Sequence, residues 1–261
     1  MRAAPIYYCA CSYGDAISAE KKRAVAAGLE TRGRPVVTVA DLCGRAAQRD
    51  PVLSEVARAG RATVIACHPR AVRWLFAWAG EPLDADRVQF LDMRDASAES
   101  ILAAIEPGAD GRSAVTPIPD TASRADGFWR PWFPVIDYDR CVTCRQCLEF
   151  CLFGVYEADA DGRVAVRQPD HCKNNCPACA RMCPHMAIMF PKIDEESPVS
   201  GTCGDAASAV GKVRLTREQL TGSHALDKLR ERQQRPRLLK DEREKDNHDR
   251  IAGQADDDRA G

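Results

Sequence analysis

The chain has 261 residues, 45% of them hydrophobic, which is enough for one large or two small cores. Its 37 Lys and Arg against 38 Asp and Glu leave a formal net charge of -1, so there is no basic field for nucleic acid and no strong acidic field. No apolar run approaches the roughly 20 residues of a membrane span, and the early stretch "PIYYCA" is too short for a signal peptide. The expected location is cytoplasmic, with membrane attachment only through a partner.

From Pro5 to about Ile105 the pattern alternates strand and helix. "PIYYCA", "PVVTVA", "ATVIAC" and "RVQFLD" are short runs rich in β-branched and aromatic residues. A helix is expected from Asp15 to Arg32, stopped by Gly33. A second starts at Asp50–Pro51, an N-cap followed by proline at the first helical position, and stops at Gly60. A third runs from Pro69 to Gly80. Strand–helix units in series predict a parallel sheet covered by helices. Residues 107–127, within "EPGADGRSAVTPIPDTASRADG", are rich in Pro, Gly, Ser and Asp and read as a linker. "FWRPWFPVIDYDR" supplies an aromatic cluster expected to pack the linker's end onto a domain. A cysteine-rich module follows, and then a tail dense in both charge signs, where Leu220, Leu226 and Leu229 form a thin apolar stripe.

Thirteen cysteines are too many for a reduced cytosol unless most have a task, and the odd number leaves at least one thiol apart. A disulfide scaffold is disfavoured, because such scaffolds are small and secreted. "CVTCRQCLEFC" places Cys141, Cys144, Cys147 and Cys151 at C-x2-C-x2-C-x3-C. "CKNNCPACARMCP" places Cys172, Cys176, Cys179 and Cys183 similarly, with one extra residue in the first gap and Pro184 after the last cysteine. Three cysteines this close wrap three corners of an iron–sulfur cubane. The fourth, expected at the start of a helix, serves the neighbouring cluster. The doubled motif therefore predicts crossed ligation: Cys141, Cys144, Cys147 and Cys183 for one [4Fe-4S] cluster, and Cys172, Cys176, Cys179 and Cys151 for the other. Zinc usually takes two separated ligand pairs and fits this pattern poorly.

The module, about residues 135–192, resembles a bacterial ferredoxin with two [4Fe-4S] clusters. Two departures stand out: Leu152 follows Cys151 where the family usually has proline, and Lys173, Asn174 and Asn175 lengthen one loop. Neither removes a ligand, and both make the two sites unequal. Arg140, Arg145, Lys173 and Arg181 flank the motifs, either as solvated surface cations or as groups favouring the reduced state.

Cys9, Cys11, Cys43 and Cys67 each lie at or just past the carboxyl end of an expected strand, the edge where open parallel sheets bind ligands. Strand alternation would place Cys9 and Cys11 on one side. Pattern alone leaves two readings, ordinary buried thiols or a convergent site. "CACSYG", "DLCGR" and "VIACHPRAVRWLFAWAG" resemble the N-terminal domain of the heterodisulfide reductase A subunit, over about residues 5–95. That resemblance implies a third [4Fe-4S] cluster held by these four cysteines. No G-x-G-x-x-G fingerprint occurs, so there is no basis for flavin or nicotinamide binding. His68 is expected to cap the helix after it, His171 and His185 to be solvent-facing or secondary groups near the clusters, and Cys203 to be a free thiol.

The expected fold is an α/β domain with a parallel sheet (1–106), a linker (107–127), an α+β ferredoxin-like dicluster module (128–195) and a charged, partly helical or disordered tail (196–261). The expected function is a non-catalytic electron-transfer subunit within a heterodisulfide reductase- or hydrogenase-like complex. Its partners would be redox proteins or complex subunits docked through the tail, with no nucleic acid and no membrane insertion. The alternatives are a disulfide or sulfur-compound reductase using the N-terminal cysteines, and a redox-sensing adaptor.

Overall fold

The N-terminal part is organised by five short parallel strands. In the computed structural model, which describes residues 4–108, 113–118 and 130–204, β1 (Ile6–Cys9), β2 (Val36–Val39), β3 (Ala62–Ala66), β4 (Val88–Asp92) and β5 (Val115–Ile118) form one sheet in the order β4-β3-β1-β2-β5. The helices are α1 (Ala19–Leu29), α2 (Leu42–Gln48), α3 (Pro51–Arg58), α4 (Pro69–Ala79) and α5 (Ala98–Ala103). The chain steps to one side of β1 to make β2, then crosses back past β1 to make β3 and β4. With right-handed crossovers, opposite steps put the connecting helices on opposite faces. α1 accordingly packs on α5, and α2 on α4. Strand β3, "ATVIA", is buried along its whole length, as a central parallel strand covered on both faces must be.

Local signals set the helix ends. The Ser18 and Ser97 hydroxyls accept from the Lys21 and Ser100 amides, and Asp50 caps α3 ahead of Pro51. α4 begins at Pro69 and stops at Gly80, whose φ of 94° suits glycine. Three elements differ from expectation. α2 was not anticipated; Asp41 starts it by accepting the Gly44 amide at 2.8 Å. Part of the expected linker is β5, paired in parallel with β2 from Val36↔Val115 to Val39↔Ile118. Pro117 is tolerated there because β5 lies on the sheet edge. The first helix is shorter than expected, because Ser18 rather than Asp15 caps it.

In the module β6 (Val135–Ile136) pairs antiparallel with β9 (Ile188–Met189), and β7 (Tyr156–Ala158) with β8 (Val164–Val166). Two five-residue helices, α6 (Gln146–Phe150) and α7 (Ala178–Met182), carry Cys147 and Cys179 and end at Cys151 and Cys183. The module lies against α4: Trp78 Nε1 donates to the Val166 carbonyl at 2.9 Å, and Trp74 meets Tyr138 edge-on at 5.6 Å. The aromatic cluster takes part, with Trp132 stacked on Phe190 and Phe133 tilted against Trp78.

Arg70 of α4 is the buried polar centre of this interface. It donates to Asp137 Oδ2 at 2.6 Å and to the carbonyls of Met186, Pro198 and Thr202. The described residues of sheet and module thus form one compact unit. Residues Val199 and Ser200, expected in the tail, are buried here. The apolar stripe of Leu220, Leu226 and Leu229, and the docking role expected of the charged tail, lie outside the described residues. No helix among the described residues is long and apolar enough to cross a membrane.

Candidate functional site

The sheet order places its topological switch between β1 and β3, which the chain leaves in opposite directions, and ligands bind at the carboxyl ends of strands at such a point. Cys9 ends β1, Cys11 follows it, Cys67 follows β3, and Cys43 sits in the first turn of α2 beyond β2. Cys9, Cys11 and Cys43 are buried and Cys67 half-buried, and none is in a disulfide. Burial, then proximity to Cys43, Cys11 and Cys9, pushes the Cys67 thiol well up. Burial, then Cys11 and Asp41, does the same to Cys9. Burial pushes Cys43 up to about 12 against the pull of Lys192.

Simple strand alternation does not bring Cys11 to this place. β1 ends at Cys9, and Cys11 turns through a left-handed conformation, φ 45°. This conformation costs a non-glycine residue about 1–2 kcal/mol, which tertiary structure must offset. The Lys22 ammonium donates to the carbonyls of Cys11 and Gly14, at 2.9 and 2.8 Å, and holds the turn. The Leu42 amide donates to Cys9 Sγ at 3.4 Å.

His68 is buried, but its side chain does not cap α4. Nδ1 instead pairs with Asp92 Oδ2 at 3.0 Å. Burial pushes the Asp92 carboxyl up, yet hydrogen bonds from His68 and the Arg94 amide outweigh it and hold it below its ordinary value.

In the module, Cys141, Cys144, Cys147 and Cys183 line one small cavity, together with Ile136 and Ile188. The fourth cysteine of each motif ends a helix rather than starting one: Cys151 follows α6 and Cys183 follows α7. A helix end turns the chain out of its own motif, which is why each reaches its neighbour's. Burial, then Cys183 and Cys179, pushes Cys147 up to about 12. Cys172 is raised to about 12 by burial and by Cys179, Cys176 and Cys151. Burial lifts Cys179 to about 11, opposed by the Tyr156 hydroxyl, which donates to its sulfur at 3.0 Å.

Thr143, Arg145 and Asn175 adopt left-handed backbone in the two motif loops. Asn tolerates this region, whereas a β-branched Thr is an outlier and marks a constrained loop. Thr143 and Asn175 hold the same place, just before the second cysteine of each motif. Among the flanking cations, Arg140 donates to the Cys203 and Gly204 carbonyls and Arg181 pairs with Glu195 at 3.3 Å, while Lys173 is exposed. His171 is exposed, His185 borders the first cavity, and Cys203 is exposed and free.

Tetrahedral zinc with Zn–S near 2.3 Å needs sulfurs roughly 4 Å apart. Among the described residues, the one set of three His, Cys, Asp or Glu ligand atoms within 4.8 Å of one another is His68, Asp92 and Asp95, and it contains no cysteine. No three cysteine sulfurs among the described residues lie that close together. Lys192, Asp41 and Tyr156 were not singled out from sequence. Nothing local marks a strand tyrosine or a distant lysine, and only the N-cap position of Asp41 was readable.

The doubled cysteine motif and the sulfur-lined site resemble those of ferredoxin-type iron–sulfur proteins, and the relatives of this stretch bear that out. The chain is 48% identical over 68 residues to an uncharacterized ferredoxin of Methanocaldococcus jannaschii, covering 26% of this chain and 44% of that protein. It is 37% identical over 70 residues to the pyruvate synthase subunit PorD of the same organism, covering 27% of this chain and 77% of that one. It is 34% identical over 72 residues to PorD of Methanothermobacter marburgensis, covering 28% and 82%. The chain belongs, over this stretch, to the same family as the PorD subunits. It spans less than half the length of the uncharacterized ferredoxin. No family model matches the chain, and no solved structure matches it.

Proposed function

We propose that this protein is an electron-transfer subunit that carries single electrons along three [4Fe-4S] clusters inside a multi-subunit oxidoreductase. The observation that supports the reading is the lining of one cavity by Cys141, Cys144, Cys147 and Cys183, beside Cys9, Cys11, Cys43 and Cys67 at or beyond the carboxyl ends of β1, β2 and β3 in one sheet. Cys141, Cys144, Cys147 and Cys183 would hold the first cluster, and Cys172, Cys176, Cys179 and Cys151 the second. Cys9, Cys11, Cys43 and Cys67 would hold a third. When bound, each cluster supplies a reversible one-electron centre.

The chain's own residues then do the placing and tuning. Binding deprotonates thiols that burial otherwise keeps neutral. Tyr156 and the amides of Leu42 and Ala187 donate to ligand sulfurs and so favour the reduced state. Cys144 is exposed, which leaves the first site an edge open to a partner. Two observations support membership of a complex: the kinship with PorD, a subunit of pyruvate synthase, and the exposed Val142, Phe150, Leu152 and Phe153 around the motif ends. The resemblance of residues 5–95 to the heterodisulfide reductase A subunit supports a heterodisulfide reductase- or hydrogenase-like setting. A thiol-based reductase is disfavoured, because Cys9 and Cys11 form C-x-C rather than the C-x-x-C of thioredoxin-like sites.

Iron and acid-labile sulfide analysis of anaerobically purified protein tests the reading. The expected result is three cubanes per chain. Two would leave electron transfer standing and remove the N-terminal cluster. Less than one would overturn the function.

A further inference from the structure

The buried lysine that reaches the N-terminal site comes from the other end of the described chain. Lys192 follows β9 of the module, yet its side chain ends among the N-terminal cysteines. Nζ lies 2.6 Å from Asp41 Oδ2, and the two side chains are 5% and 3% exposed. Asp41 uses its other oxygen to cap α2, the helix that carries Cys43. Cys43 and Lys192 line the same small cavity beneath Trp132 and Phe190. A Cβ built on Gly14 would lie 2.9 Å from Cys11 Sγ and 3.4 Å from Lys192 Cγ, so the thiol and the lysine stem flank one point. Tyr13 offers its ring to the ammonium at 5.8 Å.

This lysine is held there firmly. Arg94, on the loop after β4, donates to the Ile193 carbonyl at 2.6 Å and to those of Pro191 and Glu195. The segment is thus clamped on both sides of Lys192. Burying an ammonium costs several kcal/mol, and a tether between two domains could be made more cheaply from apolar groups. The location explains the choice. A cluster with four thiolates already carries net negative charge, and one added electron increases it.

We propose that Lys192 is a charge-compensating positioning residue for the N-terminal four-cysteine site, delivered by the ferredoxin module, so that docking of the module sets how readily that site accepts an electron. The inference rests on the N-terminal cluster of the proposed function. The step is a one-electron reduction: the external reductant loses one electron, the cluster gains it, and no bond to the chain forms or breaks.

The test is an anaerobic redox titration of the full chain with dithionite, followed by EPR, on wild type, Lys192→Met, Lys192→Arg and Asp41→Asn. Lys192→Met is expected to lower the reduced-to-oxidised ratio of the N-terminal cluster at least tenfold at a fixed potential, a shift of about 59 mV downwards. The two ferredoxin clusters should not move. Lys192→Arg should restore the wild-type midpoint, which a purely steric role would not require. Asn still caps a helix, so Asp41→Asn should raise the midpoint by removing a buried negative charge.

An unshifted N-terminal signal in Lys192→Met overturns the inference. If that variant loses the signal altogether, Asp41→Asn decides: a raised midpoint supports the inference and an unchanged one overturns it. Absence of a third signal in the wild type overturns instead the cluster on which the inference rests.

Discussion

Replacing Arg70 with methionine removes the cation at the centre of the sheet–module interface. Arg70 and Asp137 are 7% and 5% exposed and meet at 2.6 Å. Breaking a buried pair by removing one partner costs about 3–5 kcal/mol, because the remaining charge is left in a poor dielectric. Arg140 Nε lies 3.6 Å from the same Asp137 oxygen and offers a partial substitute. The Asp139 amide still donates to the other oxygen at 3.0 Å. The cost should therefore fall at the lower end, about 3 kcal/mol. Urea unfolding under anaerobic conditions, read by far-UV circular dichroism and by visible absorption, measures it.

Arg70→Met should lose the visible absorption at lower urea than wild type. The double variant Arg70→Met, Asp137→Leu should be less destabilised than Arg70→Met alone, because it leaves no buried charge behind. A single variant within about 1 kcal/mol of wild type, the range of an exposed pair, would refute the view that this contact holds the module in place.

Tyr156→Phe deletes the hydroxyl that donates to Cys179 at 3.0 Å. With a hydrogen bond worth about 1–1.5 kcal/mol, the second cluster's midpoint should fall by up to about 60 mV in a one-electron titration; a rise or no change would deny the bond a tuning role. Gly14→Ala places a Cβ 2.9 Å from Cys11 Sγ. This overpacking, of about 1–3 kcal/mol, should reduce iron at the N-terminal site while leaving the two module clusters loaded, and unchanged iron content would show that the crevice has slack.

Four strands of the sheet and the α4 boundaries were readable because β-branched runs, Pro69 and Gly80 each carry an unambiguous local preference. β5 was not, since "VTPI" sits among Pro, Gly and Ser and becomes a strand only by pairing with β2. α2 was hidden by Gly44 and Cys43, which favour helix poorly, and is held by the Asp41 cap. The site residues were visible as a list of cysteines, but how they reach one another was partly misjudged. Cys11 arrives through a left-handed turn rather than strand alternation, and Cys151 and Cys183 stand at helix ends rather than starts. Lys192 could not be found from sequence, because only tertiary packing carries it to Asp41.

The central claim is that the N-terminal cysteines form an iron–sulfur site in series with the ferredoxin module. EPR spin counting during a stepwise anaerobic reduction of wild type and Cys11→Ser tests it most directly. The expected result is three one-electron centres in the wild type and two in the variant, with the signals of the module unchanged. A Cys11→Ser spectrum identical to that of the wild type would contradict the claim and leave "CACSYG" as a strand ending in buried thiols.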